Sequence, residues 1–295
     1  MLPFLRVCCP AYAGAGSIAR DVRLTVPDGW IPSSRPAGLV GSIRRFSNTV
    51  TKTHRTDGQP ARFDLHGTLR PGLDILANEI IIALKKRTRF KQNLEIYVPG
   101  LVIGHPDTAL LDFELARTER FHAELGRYAY TRYDSFSDVG DVPLVIKRRA
   151  PAGPAHNYPT YMGPEIRAFY VNWVESNCEP GSDSDTWGES VSADVAAMMS
   201  LAERITMGKS VAEFKFQQRT QAYLDTGGDA DRIEALLTNP GRESEVIDLA
   251  RRLARIYEFD ADQAVAIFTW IIRATVRVEI SYLQARIAHA GGTKR

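Results

Sequence analysis

Three pairs of polar residues stand out in this sequence because they recur at helical spacing among apolar neighbours. Thr275 and Glu279 are four residues apart on the stripe set by Phe268, Ile272 and Leu283, so a hydroxyl and a carboxyl stand where apolar side chains stand elsewhere. A carboxyl there is costly unless it meets a partner or keeps its proton. Arg204 and Lys215 are eleven residues apart, about three turns, which puts both cations on one helix face. Asn239 and Glu243 form another pair four apart at the start of a later helix. As chemistry, two cations suit an anionic ligand, and a sequestered carboxyl suits a hydrogen bond that only its protonated form can donate. Taken singly, each feature has an ordinary structural reading: a solvated face, a helix cap before Pro240, the edge of a stripe.

The elements that must position these residues are helices. From Leu69 onward the apolar residues recur mostly at three- and four-residue steps, with no convincing series of alternating segments, which predicts an all-α body. The spacing predicts helices over about Pro71 to Tyr97, Thr108 to Tyr133, Pro164 to Ser176 and Ser192 to Tyr223. A short one follows over about Asp229 to Leu237. Asn239-Pro240 reads as a cap and first-turn proline opening a helix to Tyr257, and Asp260 or Asp262 opens the last, to about Ala288. Two stretches rich in Gly, Pro, Ser and Asp, about Asp134 to Pro159 and Glu179 to Trp187, read as loops.

Composition narrows the classes. With 295 residues, 44% hydrophobic and 24% charged, the chain has the balance of an ordinary globular protein. A formal net charge of +2, without a Lys/Arg block interleaved with aromatics, speaks against nucleic acid as a partner. No apolar run reaches the length of a membrane span, so no membrane partner is expected. Cys8, Cys9 and Cys178 give neither a zinc spacing nor a disulfide framework, and no metal site is expected. Residues 1–60 read as an N-terminal extension, with the remaining body over 61–295. The opening LPFLRVCCPAYAGA resembles a short secretory segment, but Arg6 interrupts it and no basic stretch precedes it. The alternatives are export and a loosely packed extension on a cytoplasmic protein.

Read together, residues Ser192 to Leu283 resemble the helical chorismate mutases of fungi and plants. The resemblance is carried by DVAAMMSLAERITMGKSVAEFKFQ, TNPGRESEVIDLARRLARIYEFD and IFTWIIRATVRVEISYL. Upstream, LRPGLDILANEIIIALKKRTRF resembles the family's first helix, with Arg70 seventeen residues ahead of Arg87, and TALLDFELARTERFHAELGRY its second. The resemblance implies a type II helical bundle made of two fused three-helix units, a homodimer, and conversion of chorismate to prephenate without a cofactor. It places Arg204, Lys215, Glu243 and Glu279 in catalysis and Arg70, Asn239 and Thr275 in substrate binding.

The reaction so implied is a pericyclic rearrangement of a dicarboxylate ether. The protein must hold the dianion in a compact conformer and stabilise charge growing on the ether oxygen. Arg70 and Arg204 suit the carboxylates, and Thr275 adds a neutral donor. Lys215 places a cation at the ether oxygen, where its attraction grows towards the transition state. Glu243 and the backbone at Asn239 suit the ring hydroxyl. Glu279 must donate to the ether oxygen and is therefore expected to work protonated.

The resemblance weakens where family members bind aromatic effectors. An arginine pair is replaced by Gly126-Arg127, and a Gly-Ser-x-x-Thr loop by Gly188-Glu189-Ser190-Val191-Ser192. Losing one arginine and gaining Glu189 would disfavour an effector carboxylate, so feedback is expected to be weak or absent. A catalytically silent helical binding protein is the competing reading, against which stands the presence of all seven pocket residue types. A fusion enzyme that also processes prephenate lacks any G-x-G-x-x-G fingerprint after a strand.

Overall fold

The computed structural model describes residues 65–128, 133–147, 156, 158 and 160–292. The N-terminal extension expected over 1–60 lies outside the described residues. Among the described residues no strand forms, and only isolated bridges join Lys91 to Glu179 and Pro99 to Ala109. The body is helical, as the apolar spacing predicts.

A single π-type turn, Leu65–Leu69, leads into α1, Arg70–Arg87. Pro71 sits in the first turn of α1, where its missing N–H costs nothing, and Lys85, Lys86 and Arg87 occupy the last turn, where the helix dipole favours cations. The expectation that this helix runs to Tyr97 fails at Arg87, whose guanidinium folds back to donate to the carbonyls of Lys91 (2.9 Å) and Gln92 (2.8 Å). Asn93 is then in the left-handed region, and a 3-10 turn, Leu94–Tyr97, replaces the last helical turns.

Helix α2, Leu110–Glu124, is also shorter than expected. Gly126 adopts φ 76°, its N–H donates to Ala123 O (2.7 Å) and that of Arg127 to His122 O (2.9 Å), which satisfies the last carbonyls and stops the helix. Helix α3, Gly163–Asn177, matches its expectation. The predicted long helix from Ser192 to Tyr223 is instead three: α4 (Trp187–Thr206), α5 (Gly208–Gln218) and α6 (Thr220–Leu224). Helix α4 starts earlier than predicted, so Gly188 to Ser192 form its opening turns and not a loop before it.

Helix α7, Ala230–Leu237, is capped by the Asp229 side chain. Helix α8, Pro240–Ile256, is capped as predicted, Asn239 Oδ1 accepting from the Arg242 N–H at 3.0 Å. Asp260 accepts from the Gln263 N–H at 2.8 Å and opens α9, Ala261–Gly292, which runs past Ala288.

Three apolar clusters hold these helices. The largest joins α1 (Ile80, Ile81, Leu84), α3 (Tyr170), α4 (Met198, Leu201, Ile205) and α9 (Phe268, Ile271). A second gathers Phe216, Tyr223, Ile233, Leu237 and Leu283, and a third joins Leu69, Leu73 and Leu76 of α1 to Met207 and Val211. The end of α1 meets the start of α4 through Arg87 and Asp194, and the start of α1 meets Met207, so α1 and α4 run antiparallel.

The Arg87 and Asp194 ion pair is wholly buried. Asp194 also accepts from Tyr97 (2.9 Å) and Tyr170 (2.8 Å), so both its oxygens are occupied. Burial alone would lower the Arg87 pKa, but Asp194 and Tyr97 more than offset it and hold the guanidinium charged. Removing one partner strands the other charge in a fully buried site. Arg87→Met is therefore expected to destabilise the fold by about 3 to 5 kcal/mol, read as a lower midpoint in urea unfolding.

Candidate active site

Where the three clusters meet, a cavity of about 140 Å³ opens, walled by Leu65, Leu73, Val211, Leu237, Val246, Ile272 and Val276. All seven residues expected at the site line it: Arg70 from α1, Arg204 from α4, Lys215 from α5, Asn239 and Glu243 from α8, Thr275 and Glu279 from α9. Arg242 lines it as well, so four cations face two carboxylates across one small space.

Arg204 is buried, and its Nε lacks a hydrogen-bond partner. Burial, then the nearby Arg242, pull its pKa down to about 10, which still leaves it charged at neutral pH. A buried guanidinium N–H without an acceptor is a costly arrangement that an anion in the cavity would relieve. Lys215 Nζ donates to Glu279 Oε2 at 3.0 Å and to Leu237 O at 3.2 Å. Burial pushes the Glu279 pKa up, while Lys215 and Arg204 pull it back, and the net direction is upward. Thr275 Oγ1 is occupied by Ile271 O at 2.8 Å, a local bond within α9 that must open before it can donate to a ligand. Arg70 is half-buried and forms no ion pair with any described residue.

Two contributors escape the sequence reasoning. Gly208 is one: a Cβ built there would lie 2.9 Å from Thr275 Cγ2, 3.3 Å from Thr275 O and 3.4 Å from Glu279 Cγ. It lets α5 settle against α9 so that Lys215 reaches Glu279. The signal was a glycine inside an otherwise helical apolar pattern. Arg242 is the other, an arginine in the first turn of α8, where the helix dipole disfavours a cation.

The residues expected at a degenerate regulatory site are not all brought together. Arg127 pairs with Glu203 at 2.8 Å and lies over the Tyr133 ring, and Ser192 donates to Glu114 at 2.8 Å. Both line a cleft of about 390 Å³ between α2 and α4. Gly126, Gly188 and Glu189 do not line it, because Gly126 terminates α2 and the other two lie in the opening turn of α4. Two carboxylates, Glu114 and Glu203, face the cleft.

The family model of chorismate mutase type II matches residues 189–280, which hold every site residue except Arg70. The chorismate mutase of Schizosaccharomyces pombe is 28% identical over 239 residues, covering 74% of this chain and 95% of that one. The solved chloroplast chorismate mutase of Zea mays superposes with a TM-score of 0.68 at 26% identity, covering 77% of this chain and 99% of that one. These matches support a eukaryotic chorismate mutase of type II. The chain's fold is shared more distantly with the Candida albicans chorismate mutase solved with L-Trp, at 23% identity, a TM-score of 0.67, and 75% and 91% coverage.

Within this chorismate mutase fold, the packing at Gly208 is a direct test of how finely the site is set. Backbone at Thr275 O cannot retreat as a side-chain tip could. Gly208→Ala should push α5 off α9 and lower kcat/KM for chorismate by about tenfold or more, while overpacking costs about 1 to 3 kcal/mol of stability; steady-state kinetics beside thermal unfolding separate the two.

Proposed function

We propose that this protein converts chorismate to prephenate, with no cofactor in the step, and that the seven expected residues act in the roles their chemistry suits. The observation that carries the reading is their convergence, from five helices, on one cavity in which cations exceed carboxylates. Such a cavity is electrostatically short of an anion, and a dicarboxylate supplies what is missing. Arg70 and Arg204 bind the two carboxylates, the latter gaining the acceptor that its Nε lacks. Lys215 and Glu279, 3.0 Å apart, stand together at the ether oxygen. As the bond to carbon breaks, charge grows there, and two donors held in place stabilise the transition state more than the ground state. Glu243 with Asn239 receives the ring hydroxyl.

Glu279 must carry a proton to donate. Its raised pKa keeps that proton to higher pH than an exposed carboxyl would, and a bound dianion adds to the rise. Activity is thus present below the raised pKa and lost as pH increases through it. The test follows chorismate loss and prephenate formation over a pH series. Arg204→Ala should lose about a hundredfold or more in kcat/KM, and Glu279→Gln, a permanent donor, should flatten the alkaline fall. A profile equally steep in Glu279→Gln would refute the protonated role, and folded parent protein without turnover at any pH would refute the activity.

Feedback by aromatic amino acids is weak or absent in this reading. The cleft between α2 and α4 offers Arg127 already paired to Glu203, with Glu114 beside it, a poor setting for an effector's carboxylate. Tyrosine or tryptophan at millimolar concentration should change the rate by less than twofold, and strong inhibition by tyrosine that tryptophan reverses would contradict it. A homodimer and a cytoplasmic location belong to the same reading. On the second the Zea mays relatives divide, one named cytosolic at 24% identity over 253 residues and one chloroplastic at 28% over 264, and an exported protein is the alternative. No helix among the described residues is long and apolar enough to cross a membrane.

A further inference from the structure

Arg242 lies in the opening turn of α8, where the exposed peptide N–H groups repel a cation. Its side chain is nevertheless turned to the cavity, close enough to Arg204 to depress that residue's pKa. Neither carboxylate of the cavity wall, Glu243 or Glu279, forms an ion pair with it. Its two ion pairs are with residues outside the cavity wall, Glu245 at 2.9 Å and Asp74 of α1 at 3.3 Å. Both partner side chains are about half or more exposed, at 63% and 48%. Exposed pairs of this kind are weak and are readily exchanged for a better acceptor. Asp74 is one helical turn beyond Arg70, so the pair spans the gap between the helices that carry Arg70 on one side and Asn239 and Glu243 on the other.

We propose that Arg242 is a third substrate-binding guanidinium, which gives up Asp74 for a carboxylate of the entering dicarboxylate. This rests on the mutase reading above. Asp74 and Glu245 neutralise Arg242 at the edge of the cavity. A dicarboxylate offers a bidentate acceptor with less solvent around it, which draws the guanidinium inward. Arg242 then acts in capture and orientation, and Asp74 competes with the substrate for it. A purely structural tie between α1 and α8 predicts the opposite behaviour for Asp74, since removing either partner would loosen the same helices.

Chorismate kinetics on Arg242→Gln and Asp74→Asn, with prephenate affinity by calorimetry, separate these cases. Arg242→Gln should raise KM about tenfold or more with kcat within about threefold, weaken prephenate binding in parallel, and make KM less sensitive to salt. Asp74→Asn should leave KM at or below that of the parent protein. An unchanged KM in Arg242→Gln, or a KM raised alike in both variants, overturns the proposal. Parent protein that binds prephenate without turning over chorismate refutes the activity but not the proposal, which then stands if Arg242→Gln binds prephenate more weakly and falls if it does not.

Discussion

The buried contact between Arg87 and Asp194 sets the frame on which the cavity depends. Desolvating both charges is expensive, and the cost is offset only because every oxygen of Asp194 and most donors of Arg87 are occupied by Tyr97, Tyr170 and the carbonyls beyond α1. Such a cluster has one geometry, so it fixes the register of α1 against α4. Helices are stiff. Arg70, seventeen residues back along α1, and Arg204, ten residues on along α4, are thereby delivered to the same end of the antiparallel pair. Two guanidiniums are thus placed by an ion pair that never touches the cavity.

Around the cavity itself the arrangement is electrostatically unfinished. Arg204 lacks an acceptor, Thr275 bonds its own helix, and the Lys215 and Glu279 pair is the only close ion pair among the described residues that line it on both sides. Gly208 sharpens the placement, since the absent side chain is what allows α5 and α9 to meet. The fold achieves this simply. It uses helix spacing and one missing methyl group.

That economy explains how much could be read from sequence. Residues four or eleven apart on a helix share a face, so Thr275 with Glu279 and Arg204 with Lys215 were legible, even though the helix is interrupted at Met207 between the latter two. Asn239 was legible as a cap because the proline after it leaves few other roles. Helix ends were read less well. Arg87 ends α1 through a tertiary contact, and Gly126 ends α2 through a backbone conformation that the apolar pattern around it does not announce. Arg242 was missed because a cation's direction depends on its neighbours from another helix, here Asp74 of α1, which no local pattern encodes.

The cavity draws Arg70 and Glu279 together across a separation of 209 residues, from opposite ends of the helical body. Some helix pairs here, α3 with α4 and α8 with α9, form between neighbours in the chain, and such local pairings assemble quickly. Closing a loop that long is entropically slower. The cavity is therefore incomplete until α9 is in place, and on a ribosome it stays open until that last helix has emerged.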